Sequence, residues 1–168
     1  MKLHSLFVLN RHGNPLYHHT YDPTTDQTPD PSTKYAYLAH TSCDLIDECL
    51  LANPAPKVSS DLYLGLLQTT EGLNIYGYVL NTGARFVLIV SEDPTATTSP
   101  LAVAAGGGTV GGVKGEIILV FQQLHAAYIA LVCNPFHEYM AEVGGDEGEG
   151  CVGGKFDAVV EELGKIHS

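Results

Sequence analysis

Eight histidines, four cysteines and a short run of acids are the side chains with which this 168-residue chain could do chemistry. The closest histidines are His12, His18 and His19. Neighbouring residues on a strand point to opposite faces, so His18 and His19 cannot close on one ion without a bulge, and they read as surface histidines. His40, His125, His137 and His167 are scattered over helices and chain ends at no metal-ligand spacing. Cys133 with His125 or His137 has the residue types of a thiol nucleophile and its base. Its place at the end of an apolar helical run favours a buried, inert thiol instead. Cys43, Cys49, Cys133 and Cys151 show no C-x-x-C pair, so the expectation is free thiols in a reducing compartment, with no zinc knuckle and no disulfide framework.

Two further motifs invite a chemical reading. Gly106, Gly108 and Gly111 in "LAVAAGGGTVGGVKGEIILV" spell G-x-G-x-x-G, the dinucleotide-binding turn. The turn needs a βαβ unit around it. Here an antiparallel meander has already used the preceding strands, and one continuous helix follows, with no acid at a strand end to hold a ribose. Lys114 is followed by Gly115 rather than Ser or Thr, which removes a P-loop as well. The glycines read as slack at the end of an insertion, and no cofactor is expected. Asp44, Asp47 and Glu48 could form a catalytic pair, but three acids on the outer side of a helix read more simply as a solvated face. No acid, base and nucleophile set accompanies them, so the expectation is a non-enzyme whose polar helix face docks a partner.

The elements that must position these residues follow from periodicity. Leu3 to Asn10 is an apolar strand, Arg11 to Pro15 a turn, and Leu16 to Tyr21 a second strand with Pro15 at its start. Asp61 to Gln68, Leu73 to Leu80 and Ala84 to Ser91 are three strands whose spacers, Thr69 to Gly72 and Asn81 to Gly83, are too short for crossover helices. They form an antiparallel meander. "LFVL" and "FVLIV" are apolar on both faces, which places the first and fifth strands centrally with helices covering both sides. From Tyr35 to Ala52, Leu38, Ser42, Leu45, Ile46, Cys49 and Leu50 share one helical face. Lys114 to Val132 and Lys155 to His167 read as two more helices, the former ended by Asn134-Pro135. The element order is ββαβββαα, an α+β fold in a single domain over 1–168.

Three segments, 22–34, 92–112 and 143–154, are rich in Pro, Thr, Gly or acids and read as flexible insertions. The formal net charge of -11 repels nucleic acid and anionic bilayers, so neither is an expected direct ligand. Met1 to Leu9 lacks the uninterrupted apolar stretch and cleavage site of a leader, and no apolar run approaches the roughly 20 residues of a membrane span. A cytoplasmic protein is expected.

"NPLY" at 14–17, "HTSCDLIDE" at 40–48, "DLYLGLLQTTEGLNIYGYVLNTGARFVLIV" at 61–90 and "LHAAYIALVCNPF" at 124–136 occur in the order in which similar motifs occur in the sedlin family of TRAPP subunits, which the chain resembles. That resemblance implies a longin, or SNARE-like, fold: a five-stranded antiparallel sheet with one helix on one face and two on the other. It implies a small non-catalytic subunit of the TRAPP vesicle-tethering complex, assembled with other TRAPP subunits. That complex activates Rab GTPases in traffic between endoplasmic reticulum and Golgi and within the Golgi. The Rab would be met by the complex rather than by this subunit, and membrane association would be indirect. Matching the family motif, His40, Asp44, Asp47 and Glu48 are the expected partner-binding residues. Gln68-Thr69 stand where the family more often has an aromatic residue and proline, and Gly72 ends a turn often closed by an acid. The alternatives are a free longin adaptor for a SNARE or coat protein and, more remotely, a nucleotide-binding enzyme using Gly106 to Gly111.

Overall fold

The computed structural model describes residues 2–21, 31–52, 62–91, 110–133 and 154–166. Eight elements follow in the expected order: β1 (Lys2–Leu9), β2 (Pro15–Thr20), α1 (Pro31–Ala52), β3 (Tyr63–Thr70), β4 (Leu73–Val79), β5 (Arg85–Ser91), α2 (Val110–Val132) and α3 (Gly154–Ile166). The strands form one sheet in the order β2-β1-β5-β4-β3, with every neighbouring pair antiparallel. The doubly apolar strands lie inside it as expected, with β5 at the centre. Phe86 to Val90 are fully buried because both faces of β5 are covered.

Alternation along β5 divides the core into two layers. Phe86, Leu88 and Val90 point toward α2 and α3, where Tyr78, Ile117, Phe121, Phe156 and Val160 complete the larger cluster. Val87 and Ile89 point the other way, toward Tyr35, Leu38, Ala39, Cys43 and Ile46 of α1. One helix therefore covers one face and two cover the other. The larger layer is aromatic: Tyr78 stacks on Phe121 at 5.2 Å, and Phe156 meets the ring of Tyr17 edge-on at 5.0 Å. Each buried ring of this size contributes on the order of 1.5–3 kcal/mol through removal from water.

Strict alternation fails where strands bulge. Between Leu3 and Ser5 the pairing with β5 shifts at His4, so Leu3 and Leu6 reach the same core layer three residues apart. In β3 the register shifts between Tyr63 and Gly65 and again between Leu66 and Gln68. Gly65 takes a φ of 90° there, a conformation glycine adopts without strain.

Several boundaries differ from expectation. α1 begins at Pro31, which suits the first helical turn, so residues 31–34 are helical rather than part of an insertion. α2 begins at Val110, earlier than Lys114, and takes in Gly111 and Gly112. β3 starts and ends two residues later than expected: Thr69 and Thr70 pair with Asn74 and Leu73, leaving Glu71-Gly72 as a two-residue turn. Both turn residues have positive φ, 52° and 79°, as a tight hairpin requires, and Lys34 of α1 pairs with the Glu71 carboxylate. That hydrogen-bonded ion pair holds the carboxyl of Glu71 below its usual range. Residues 22–30, 92–109 and 143–153 of the three expected insertions, including Gly106 and Gly108, lie outside the described residues.

The expectation that no segment is apolar enough to span a membrane is corrected. Gly115–Val132 has a mean hydropathy of 1.4 over 18 residues, enough by length and composition. In this fold Ile117, Val120, Phe121 and Leu124 spend one side of that helix on the sheet.

Candidate partner-binding cleft

Arg85 opens β5, and its parity with Val87 and Ile89 aims it at α1. Only 9% of its side chain is exposed, so its charge must be answered within the protein. Its Nη2 donates to Oδ1 of Asp47 at 2.6 Å and its Nη1 to Oδ2 at 3.2 Å, a two-pronged pair. Nη1 also donates to the carbonyl of Cys43 at 3.3 Å, and Nη2 to the carbonyl of Arg11 at 3.2 Å. One guanidinium thereby ties the central strand to α1 and to the β1–β2 turn.

The turn itself is self-supporting. The Asn10 carboxamide oxygen accepts from the amides of His12 at 2.8 Å and Asn14 at 2.9 Å, while Gly13 donates to the Asn10 carbonyl at 3.0 Å. Gly13 has a φ of 82°, and a Cβ there would stand 3.6 Å from Sγ of Cys43, so the turn lies close against α1. From the other side the β4–β5 turn brings Gly83 to Arg11, where an added Cβ would stand 3.1 Å from the arginine Cβ.

Between the β1–β2 turn and α1 lies an open cleft of about 520 Å³. Arg11, His12 and Gly13 form one wall, Tyr37, His40, Thr41 and Asp44 the other, with Cys43, Asp47 and Arg85 also lining it. Burial raises the thiol pKa of Cys43, which suits a packing role over nucleophilic chemistry. Arg11 and Asp44 are exposed and have no charged partner among the described residues. The cleft thus offers a free cation and a free anion beside an aromatic ring, Tyr37, that is 68% exposed.

Of the four expected partner-binding residues, the structure brings His40, Asp44 and Asp47 to this cleft and leaves Glu48 exposed outside its lining. Asp44 faces solvent as expected. Asp47 is not simply a solvated acid, because its carboxylate is held by Arg85. Sequence reasoning passed over Arg85, Arg11, His12 and Tyr37 as members of the site. The parity of Arg85 with Val87 and Ile89 was a usable signal, as was the row Tyr35, Ala39, Cys43, Asp47, four residues apart on one side of α1.

The other candidate groups do not assemble among the described residues. His18 is exposed and stacks against Phe7, while His19 is half-buried against the Tyr21 ring, so the adjacent pair is divided as the strand rule requires. No group of three potential metal ligands occurs among the described residues. Cys133 is exposed, not buried, and directly follows the last residue of α2. Nδ1 of His125 lies 2.8 Å from the Tyr78 hydroxyl, and His137 lies outside the described residues. Cys43, Cys49 and Cys133 are free thiols.

A five-stranded antiparallel sheet with a single helix on one face and a helix pair on the other, in the order ββαβββαα, defines a longin-like domain. The chain belongs to the sedlin family, whose model, described as Sedlin, matches residues 8–164. It is similar to the trafficking protein particle complex subunit 2-like protein of Bos taurus, at 34% identity over 131 residues covering 77% of this chain and 79% of that one. The protein of the same name from Rattus norvegicus matches at the same identity and coverage. The one from Dictyostelium discoideum is 28% identical over 142 residues, covering 84% of this chain and 87% of its own.

Proposed function

We propose that this chain is a non-catalytic subunit of a TRAPP-type tethering complex. It works through protein–protein contacts that assemble or stabilise a Rab-activating particle in traffic between endoplasmic reticulum and Golgi. Membership of the sedlin family supports the subunit role, and the relatives' printed names supply the complex. The observation that carries the contact surface is the cleft, in which Arg11 and Asp44, without a charged partner among the described residues, accompany the Arg85–Asp47 pair. His40 and Tyr37 on its α1 wall extend that surface, and Glu48 continues it along the helix.

In this reading the protein is cytoplasmic and reaches membranes only through its partners. The Rab is met by the assembled complex. Asp44 is the residue to test, because its side chain is exposed and supports nothing in the described fold. Charge reversal by Asp44→Lys leaves the melting temperature unchanged and lowers co-purification with other TRAPP subunits of the same genome by tenfold or more. Full retention of those subunits by the folded variant removes Asp44 from the contact surface.

A further inference from the structure

The backbone of Arg11 is fixed from three sides, while its side chain is put to no use in the described fold. Its carbonyl accepts from Nη2 of the nearly buried Arg85 at 3.2 Å. The β4–β5 turn braces its Cβ, because Gly83 takes a φ of 85° and a Cβ there would come within 3.1 Å. The Asn10 carboxamide holds the turn itself by accepting from the amides of His12 and Asn14. The guanidinium nevertheless stands exposed, with no charged partner among the described residues. Asp44, on the other wall of the cleft, is in the same condition. The two opposite charges line one cleft and form no ion pair with each other. Asp47 and Arg85 satisfy one another, which leaves Arg11 and Asp44 as the cleft's unanswered guanidinium and carboxylate among the described residues.

We infer that Arg11 is a specificity-determining contact of the cleft, which takes a segment of a neighbouring subunit offering an Asp or Glu carboxylate to Arg11 and a Lys or Arg to Asp44. This inference rests on the reading of the chain as a complex subunit. Charge complementarity sets the occupant. An opening with an unanswered cation on one wall and an unanswered anion on the other is satisfied by a segment that bears both signs. A purely acidic segment meets Asp44 with like charge, and a purely basic one meets Arg11 in the same way. Exposed ion pairs contribute only about 0.2–1 kcal/mol each, so the two charges choose the partner and its direction. Affinity comes chiefly from the exposed ring of Tyr37, a side chain of the kind that anchors interfaces. Because the mounting of Arg11 is already fixed, little backbone entropy is lost when a partner closes on it. A second copy on a two-fold axis would set cleft against cleft and leave both unfilled, between chains that each carry a net charge of -11. A small zwitterion suits an enclosed, mostly apolar pocket better than this open polar cleft.

The test uses the full-length chain with p-benzoylphenylalanine at His12, on the turn wall beside Arg11, reconstituted with the other TRAPP subunits of the same genome. After irradiation, mass spectrometry identifies the cross-linked segment. It is expected to belong to another subunit and to carry an acid and a base within about four residues of one another. Arg11→Glu keeps the wild-type melting temperature and binds that subunit at least tenfold more weakly. Replacing the partner's acid by Arg restores the binding that Arg11→Glu loses. Arg11→Gln keeps the aliphatic stem beside Gly83 and weakens binding about two- to fivefold; it decides the matter should reversal disturb the turn. A cross-linked segment without an acid, an adduct with a second copy, no adduct in an assembled complex, wild-type binding by the Arg11 variants, or failure of the partner's reversal to restore binding overturns the Arg11 inference and leaves the proposed function standing. Failure of the unmodified chain to assemble with any TRAPP subunit overturns both.

Discussion

Arg85 sets the shape of the cleft, and Asp47 is its principal counter-charge. The pair is asymmetric: the aspartate side chain is 54% exposed while that of arginine is 9% exposed, so water screens one end and the fold must satisfy the other. Asp47→Ala leaves a nearly buried guanidinium without its anion and is expected to cost about 1–3 kcal/mol. Asp44→Ala at an unpaired surface position is expected to stay within about 0.5 kcal/mol. Urea unfolding of the two variants measures the contrast; equal losses would show that Asp47 does not anchor the cleft. A second residue-scale consequence concerns His19, whose pKa lies below the usual 6.5 chiefly because it is buried. The charge of His18 adds to that lowering, while the charges of Glu161 and Asp157 oppose it. The folded chain therefore binds this proton more weakly than the unfolded chain. The contribution of His19 to stability is complete above the unfolded value and is lost as the pH falls toward the folded one. Melting temperatures of His19→Gln should fall less steeply than those of the wild type between about pH 7.5 and about pH 5.5. An unchanged slope would contradict the assignment.

The elements were largely legible because their periods are strong. "FVLIV" announces a strand covered on both faces, and the short spacers allow nothing but a meander. Legibility fails where one added residue changes the phase. The shift at His4 puts Leu3 and Leu6 on one side, and the shift at Leu67 lets β3 run on through Thr69 and Thr70. Neither bulge has a marker in the sequence beyond the nearby Gly65. The cleft was half legible: the acids of α1 mark one wall, but the β1–β2 turn that forms the other approaches α1 only through tertiary structure. The join between α3 and the sheet was equally hidden. Gly164 faces the ring of Tyr21 so closely that a Cβ would overlap it. Gly164→Ala gains up to about 1 kcal/mol of helix propensity and meets an overpacking cost of about 1–3 kcal/mol, for a net loss of stability. Tyr21→Leu removes the ring, together with a buried hydroxyl that has no hydrogen-bond partner among the described residues. In that background Gly164→Ala should become neutral or stabilising, and additive losses in the double-mutant cycle would contradict the contact.

At the scale of the molecule, the sheet separates two unlike surfaces. α1 and the β1–β2 turn present paired and unpaired charges around a cleft, while α2 presents a helix face without charge. His12, His40, Cys43, Asp44 and Asp47 all line the cleft, and burial raises the thiol pKa of Cys43. On the function proposed above, the arrangement suits a part that holds others in place. The family supplies the expectation of which others: the relatives named as trafficking protein particle complex subunits cover most of this chain. A longin-like domain serving a SNARE or coat protein outside such a complex would need different neighbours. The direct test is to tag the chain at its own locus, purify it at native abundance and identify every co-purifying protein with its stoichiometry. The other TRAPP subunits are expected in near-equal amounts with this chain. Recovery of SNAREs or coat proteins without TRAPP subunits would contradict that expectation.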